Sequence, residues 1–163
     1  MSRPKGSKNL AVKKQAIKKT FEVSAELKEL AEKVIDAEKL DVYRAKICYL
    51  RVDPNISKSV AGRCIRTGKE LKFFSTFDYL IEVSGELWDT LNENLQYILM
   101  QHELMHIHTC MNEKSGEWEF KIRDHDVQDF SKLIKKHGVE WLAAVKLSVT
   151  QLHENVSEDD VKI

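Results

Sequence analysis

Residues 102–106 read His-Glu-Leu-Met-His, and this is the most informative stretch of the sequence. On an α-helix, residues four apart lie on one face about one turn apart, so His102 and His106 could bind the same metal ion. Glu103 lies between them and could reach a water activated by that metal, where it would act as a general base. The alternative is a surface helix that carries two histidines by chance.

The sequence around this motif favours a buried helix. No Pro or Gly interrupts residues 87–112, and apolar residues recur on one face, which predicts a single helix over residues 92–109. Three polar side chains inside a core are costly unless a metal or hydrogen bonds satisfy them. A metal site therefore explains the motif better than chance does. The apolar residues are Leu91, Leu95, Ile98, Leu99, Leu104, Met105 and Ile107.

A hydrolytic zinc site needs a third protein ligand and an open fourth position. His125 is the preferred candidate, because the apolar residues after it predict a helix that could pack across the motif, with His125 near its start. His137 is the alternative third ligand, although its neighbour Gly138 indicates a helix end, where histidines are commonly solvated. Asp124 or Asp126 could orient His125 by a hydrogen bond.

The rest of the chain predicts an α+β fold with a small, mainly antiparallel sheet of three to four strands. Ser24 is the expected N-cap of a first amphipathic helix over residues 21–41. Alternating apolar residues and turn signals predict the strands. The expected strands are residues 45–52, 60–66, 69–74 and 79–84.

Length and composition fit one globular domain: 163 residues, of which 42% are hydrophobic and 32% charged. No apolar run is long enough for a membrane span, and the basic N-terminus does not resemble a secretory signal. Cys48, Cys64 and Cys110 are expected to be reduced thiols of a cytoplasmic protein. We expect the domain to cover residues 21–150, flanked by a basic tail (1–20) and an acidic tail (151–163).

The basic tail carries seven cations and no acid, although the net charge of the chain is zero. Its sequence resembles a shortened AT-hook core, a segment that binds the narrow minor groove of A·T-rich DNA. Duplex DNA is therefore a candidate partner, and a solubilising tail is the alternative. The residues of this resemblance are Arg3, Pro4, Lys5, Gly6 and Lys8.

Three segments carry a further resemblance, which covers residues 21–141. They are Phe77-Asp78-Tyr79, His102-Glu103-Leu104-x-His106-Ile107 and His125-Asp126-Val127-x-Asp129-Phe130. Together they resemble the putative phage metallopeptidase family and, more distantly, the SprT/Spartan-like zincins.

The resemblance implies a zincin-like fold in the cytoplasm of a phage host, with His102, His106 and His125 as zinc ligands and Glu103 as the base. The SprT-like pattern would instead favour His137. The resemblance also implies that residues 79–84, the strand just before the motif helix, form the edge of the cleft, where a peptide could bind as a further strand. The alternative is that this strand is central in the sheet and offers no free edge.

These observations predict a zinc metallopeptidase that cleaves peptides or proteins, with Tyr79 or Tyr97 as an oxyanion donor. The basic tail supports two further hypotheses. One is a catalytically silent zincin-fold protein that acts as a DNA-associated binding or antirepressor module. The other is a peptidase that its tail recruits to DNA-bound proteins.

Overall fold

The computed structural model describes residues 18–125, 129–153 and 155–163, and all elements named below lie in these ranges. The fold is α+β, as predicted. The strands are β1 (Thr20–Val23), β2 (Ile47–Asp53), β3 (Gly62–Arg66), β4 (Tyr79–Ser84), β5 (Ile107–Met111) and β6 (Trp118–Ile122). The helices are α1 (Ala25–Glu38), α2 (Lys69–Ser75), α3 (Gly85–Thr90), α4 (Glu93–Met105), α5 (Ser131–His137) and α6 (Glu140–Leu152).

Four strands form a mixed sheet in the order β1-β2-β4-β3. Strand β4 pairs in parallel with β2 and antiparallel with β3, so its backbone groups are used on both sides. The strand bounds predicted for β4 are confirmed, but its predicted place at the edge of the cleft is wrong. Strand β3 is the edge strand on this side of the sheet, and it lies against α4.

Helix α1 begins later than predicted. Ser24 is its N-cap, as expected, since its hydroxyl accepts a hydrogen bond from the backbone N–H of Leu27 at 3.2 Å. The residues before the cap form β1, in which Val23 pairs with Leu50 of β2. Pairing with β2 thus decides the conformation of residues 20–23, which local periodicity had assigned to the helix.

The strand predicted over residues 69–74 is wrong, because these residues belong to α2. Its large apolar side chains Leu71, Phe73 and Phe74 are exposed, so no strand face is buried there. Lys, Glu and Leu are good helix formers, and local propensity decides where packing does not.

Helix α4 is shorter than predicted at its C-terminal end. The Asn92 side chain caps it by accepting a hydrogen bond from the Leu95 N–H at 2.9 Å. It ends at Met105, because the next residues form β5, which pairs antiparallel with β6 from Ile107 opposite Ile122. The sequence predictions did not include this hairpin or α3.

Part of the segment that we expect to be an acidic tail contacts the domain. Val161 is 6% exposed and belongs to the core cluster, and Lys162 pairs with Val60. The predicted AT-hook residues lie outside the described residues. No helix in the described ranges combines the length and apolar character needed to cross a bilayer.

Candidate metal centre

The motif lies on the last turn of α4, inside the molecule. His102 is 1% exposed and Glu103 is 0% exposed. His106 follows as the C-cap residue, and its ring lies 5.1 Å from that of His102 between centroids. The helical spacing therefore places the two imidazoles next to each other on one face of the helix, as the sequence predicts.

His125 completes a cluster with these two histidines. One side-chain nitrogen from each of the three residues lies within 4.8 Å of the others, and the Nε2 atoms of His102 and His125 are 3.0 Å apart. Nitrogens that share a tetrahedral zinc ion are about 3.4 Å apart, given Zn–N bonds of about 2.0–2.1 Å. The cluster thus has the dimensions of a metal site.

The predicted helical setting of His125 is wrong. It lies in the loop after β6, and α5 begins only at Ser131. This loop follows the hairpin, which returns the chain to the end of α4. The backbone N–H of Arg123 donates to the His106 carbonyl at 2.7 Å and fixes that return.

Hydrogen bonds to the other ring nitrogens orient two of the imidazoles. His102 Nδ1 lies 2.9 Å from Asp129 Oδ1, and His106 Nδ1 lies 2.7 Å from the carbonyl oxygen of Arg123. A proton on each Nδ1 leaves Nε2 as the metal-binding atom, which is the usual arrangement around a histidine ligand. Asp124, one of the two predicted orienting residues, is exposed, and Asp126 lies outside the described residues.

The roles of Asp129 and Phe130 were not predicted from the sequence. The Phe130 ring is 1% exposed, and its centroid lies 5.0–5.4 Å from those of all three imidazoles. It forms an apolar wall beside the cluster. Both residues belong to the segment His125-Asp126-Val127-x-Asp129-Phe130, which the family resemblance had already singled out. Their position in that segment was the sequence signal that could have pointed to their roles.

Burial sets the charge state of the imidazoles. Loss of hydration lowers the pKa of both His102 and His106, so these rings stay neutral at pH 7. Burial also acts to raise the pKa of Asp129, but the hydrogen bonds that it accepts from His102 and from the Phe130 backbone N–H act to lower it, and the net effect is a lowered pKa. Neutral imidazoles beside an ionised carboxylate are the forms that bind a divalent metal.

Glu103 is buried with no partner for its carboxylate. Neither oxygen has a hydrogen bond among the described residues, and burial raises the pKa of the group to about 8. Such a group is costly in a core, and perturbed carboxyls of this kind concentrate at functional sites.

Gly62 of β3 makes room for this carboxylate. A Cβ atom added at Gly62 would lie 2.8 Å from Glu103 Oε1, which is closer than van der Waals contact allows. A glycine inside a predicted strand often marks such a close approach, although the sequence alone did not name the neighbour. Three imidazole nitrogens and a buried carboxylate with no hydrogen bond among the described residues fit a bound metal ion.

The other predicted site residues lie in different surroundings. His137 Nε2 lies 3.1 Å from the Gln101 side-chain oxygen. The Tyr97 hydroxyl donates to Glu38, and the Tyr79 hydroxyl is within hydrogen-bonding distance of the carbonyls of His108 and Lys121. These hydroxyls have acceptors away from the histidine cluster, and the oxyanion role of either tyrosine stays a prediction.

A family model described as "Putative phage metallopeptidase" matches residues 19–153. The chain belongs to this family. The resemblance found from the three sequence segments is thereby confirmed, and the family description implies a metal ion and peptide or protein substrates. No curated protein and no solved structure matches the chain significantly.

Proposed function

We propose that the protein is a zinc-dependent metallopeptidase with a zincin-like fold. His102, His106 and His125 hold the metal, and Glu103 is the general base. The observation that carries this proposal is the three-histidine cluster beside a buried carboxylate that has no hydrogen-bond partner in the part of the chain that the structure describes. A structural ion pair or a packing histidine would not leave both oxygens of Glu103 unbonded.

The donor set supports zinc as the metal. Imidazole suits zinc among the transition metals, and hydrolytic zinc sites commonly use three protein ligands. When bound, zinc would polarise the scissile carbonyl and lower the pKa of a water to about 7.

In this mechanism, residues of the protein itself accept and donate the proton of the attacking water. Glu103 takes a proton from the attacking water and later gives it to the leaving amine. Its carboxylate has no competing hydrogen bond from residues 18–125, 129–153 or 155–163, so both oxygens are available to the water. Asp129 and the Arg123 carbonyl hold the imidazoles in place, and Phe130 keeps water from that side of the cluster.

The N-terminal segment supports recruitment to DNA. Arg3, Lys5 and Lys8, with Pro4 and Gly6 between them, form the AT-hook-like stretch, and cations that neutralise phosphates give salt-sensitive binding. This charge also favours the second candidate function, a catalytically silent DNA-associated binding or antirepressor module. Intact Glu103 favours the peptidase.

Metal content tests the ligand assignment. The purified protein should hold about one zinc per chain, and His102→Ala, His106→Ala and His125→Ala should each lose it, because a ligand contributes much of the binding free energy. His137→Ala is the matched control and should retain zinc, since this ring contacts Gln101 instead. Full zinc in His125→Ala, or its loss in His137→Ala, would overturn the assignment.

A further inference from the structure

Residues 161–163 lie beside the proposed metal centre and pair with the sheet. Lys162 forms a parallel bridge with Val60, just before the edge strand β3. The Lys162 N–H donates to the Ser59 carbonyl at 2.7 Å, and the Ala61 N–H donates to the Lys162 carbonyl at 3.3 Å. The segment is therefore attached through its backbone, in the way that an added strand binds a sheet edge.

Its side chains and backbone connect the core to the histidines. Val161 is 6% exposed and belongs to the same core cluster as Trp141 and Val145. Ile163, two residues further on, lines the same cavity as His102 and His125. The segment thus extends from the core to the imidazoles that we assign as metal ligands.

The segment also lines two cavities at this centre. A cavity of about 340 Å³ is lined by Gly62, Glu103 and His106 together with Lys162 and Ile163. A second cavity of about 500 Å³ is lined by His102 and again by residues 161–163. His125 borders both cavities, so the segment runs along the space that a substrate would need.

An extended peptide that reached Glu103 would use the same edge of the sheet. Strand β3 is bonded to β4 on one side, and its other side faces the motif through Gly62. The chain just before β3 already exchanges backbone hydrogen bonds with Lys162, which donates to Ser59 and accepts from Ala61. We propose that residues 161–163 occupy the place of a peptide substrate and hold the protein in a self-blocked state, an inference that rests on the proposed function.

The segment then indicates which peptides compete best. The buried site of Val161 takes an aliphatic side chain, and the next residue is held through its backbone, which leaves its side chain little constrained. A peptide with an aliphatic residue two positions before a second aliphatic residue fits the pattern Val-Lys-Ile.

Two substitutions at Lys162 distinguish the contribution of its backbone N–H from that of its side chain. Lys162→Pro removes the N–H that donates to Ser59 and should release the segment. Lys162→Ala keeps that N–H and is the matched control. A variant that lacks residues 161–163 provides a second way to open the site, should the proline affect folding.

The probe is a fluorescein-labelled peptide of residues 157–163, titrated by fluorescence anisotropy with metal-free and zinc-loaded protein. We expect Lys162→Pro and the shortened variant to bind it roughly tenfold more tightly than wild type, because an internal competitor reduces apparent affinity by the fraction of open protein. Lys162→Ala should bind as wild type does. A scrambled peptide should bind no variant well.

The outcomes distinguish this inference from the proposed function. Equal peptide affinity in wild type and both opened variants, with zinc bound, would overturn self-blocking and leave the peptidase proposal standing. Tighter peptide binding by the opened variants without any zinc binding would support occupancy of the groove and overturn the peptidase proposal.

Discussion

Asp129 should control how tightly the protein holds its metal. Its Oδ1 accepts from His102 Nδ1 at 2.9 Å and from the Phe130 backbone N–H at 2.6 Å, and both His102 and Asp129 are about 1% exposed. Asp129→Asn keeps the size of the side chain and removes its charge. The Phe130 N–H should keep the amide oxygen at the Oδ1 position, so the hydrogen bond to His102 survives in weaker form.

Loss of a partner that orients a histidine ligand typically weakens metal affinity by about 10–100-fold. Since Asn retains the acceptor and loses only the charge, we expect about a tenfold loss, or about 1.4 kcal/mol. Asp129→Ala removes charge and acceptor together, and its loss should lie near 100-fold, at the upper end of the range.

A competition titration with a coloured chelator measures these affinities. Asp36→Asn, an exposed acid on α1, is the control for the change in net charge and should bind zinc as wild type does. Equal zinc affinity in Asp129→Ala and wild type would refute the argument that Asp129 orients a ligand.

Three other changes test separate parts of the structure. Gly62→Ala should retain zinc and lose hydrolysis by about 100-fold, because a new Cβ would displace the carboxylate of Glu103; unchanged turnover would contradict this. Glu38→Gln should lower the free energy of unfolding at pH 7 and make the protein less sensitive to acid. The hydrogen bond from Lys136 holds the pKa of Glu38 below its usual value of 4.5 in the folded protein. The ionised Glu38 carboxylate therefore stabilises the fold above pH 4.5, and this stabilisation is lost as the pH falls through the folded pKa. Identical pH profiles of thermal unfolding for wild type and Glu38→Gln would contradict this role of Glu38. Deleting residues 1–17 should abolish salt-sensitive binding to A·T-rich duplex DNA and leave zinc content unchanged, since β1 begins only at residue 20, and DNA binding that survives would assign the contact to the folded domain.

Local signals predicted several elements well. Ser24 is the expected cap of α1, and the start predicted for the motif helix, residue 92, lies one residue before α4 begins. The alternation of β4 gave its bounds, and the spacing of His102 and His106 gave their common face. These features depend on residues within one or two turns of each other, which a sequence displays directly.

Features set by distant partners were harder to predict. Strand β4 is central because β2, about 30 residues earlier, pairs with it in parallel, and no local pattern specifies that partner. The end of α4 depends on β6, since Ile107 leaves the helix to pair with Ile122. Tertiary pairing overrides local propensity in such segments.

The same distinction applies to the candidate site. The structure brings together the three histidines that the sequence proposes as ligands, and their ligand role stays a prediction. Asp129, Phe130 and Gly62 contact the histidines or Glu103 only through the folded arrangement. Residues 161–163 reach the site from the end of the described chain, where charge alone had indicated a solvated tail.

Hydrolysis of casein by zinc-loaded wild type and Glu103→Gln, compared at equal zinc content, tests the central claim most directly. The amide matches the carboxylate in size, and the carboxylate makes no hydrogen bond with the described residues that the amide would break, so fold and zinc should be preserved. Because an amide cannot accept the water's proton, we expect wild type to cleave casein and Glu103→Gln to show no turnover above the buffer rate. Equal turnover by the two proteins would rule out Glu103 as the base, and a wild type that holds zinc but cleaves neither casein nor DNA-bound proteins would contradict the peptidase assignment itself.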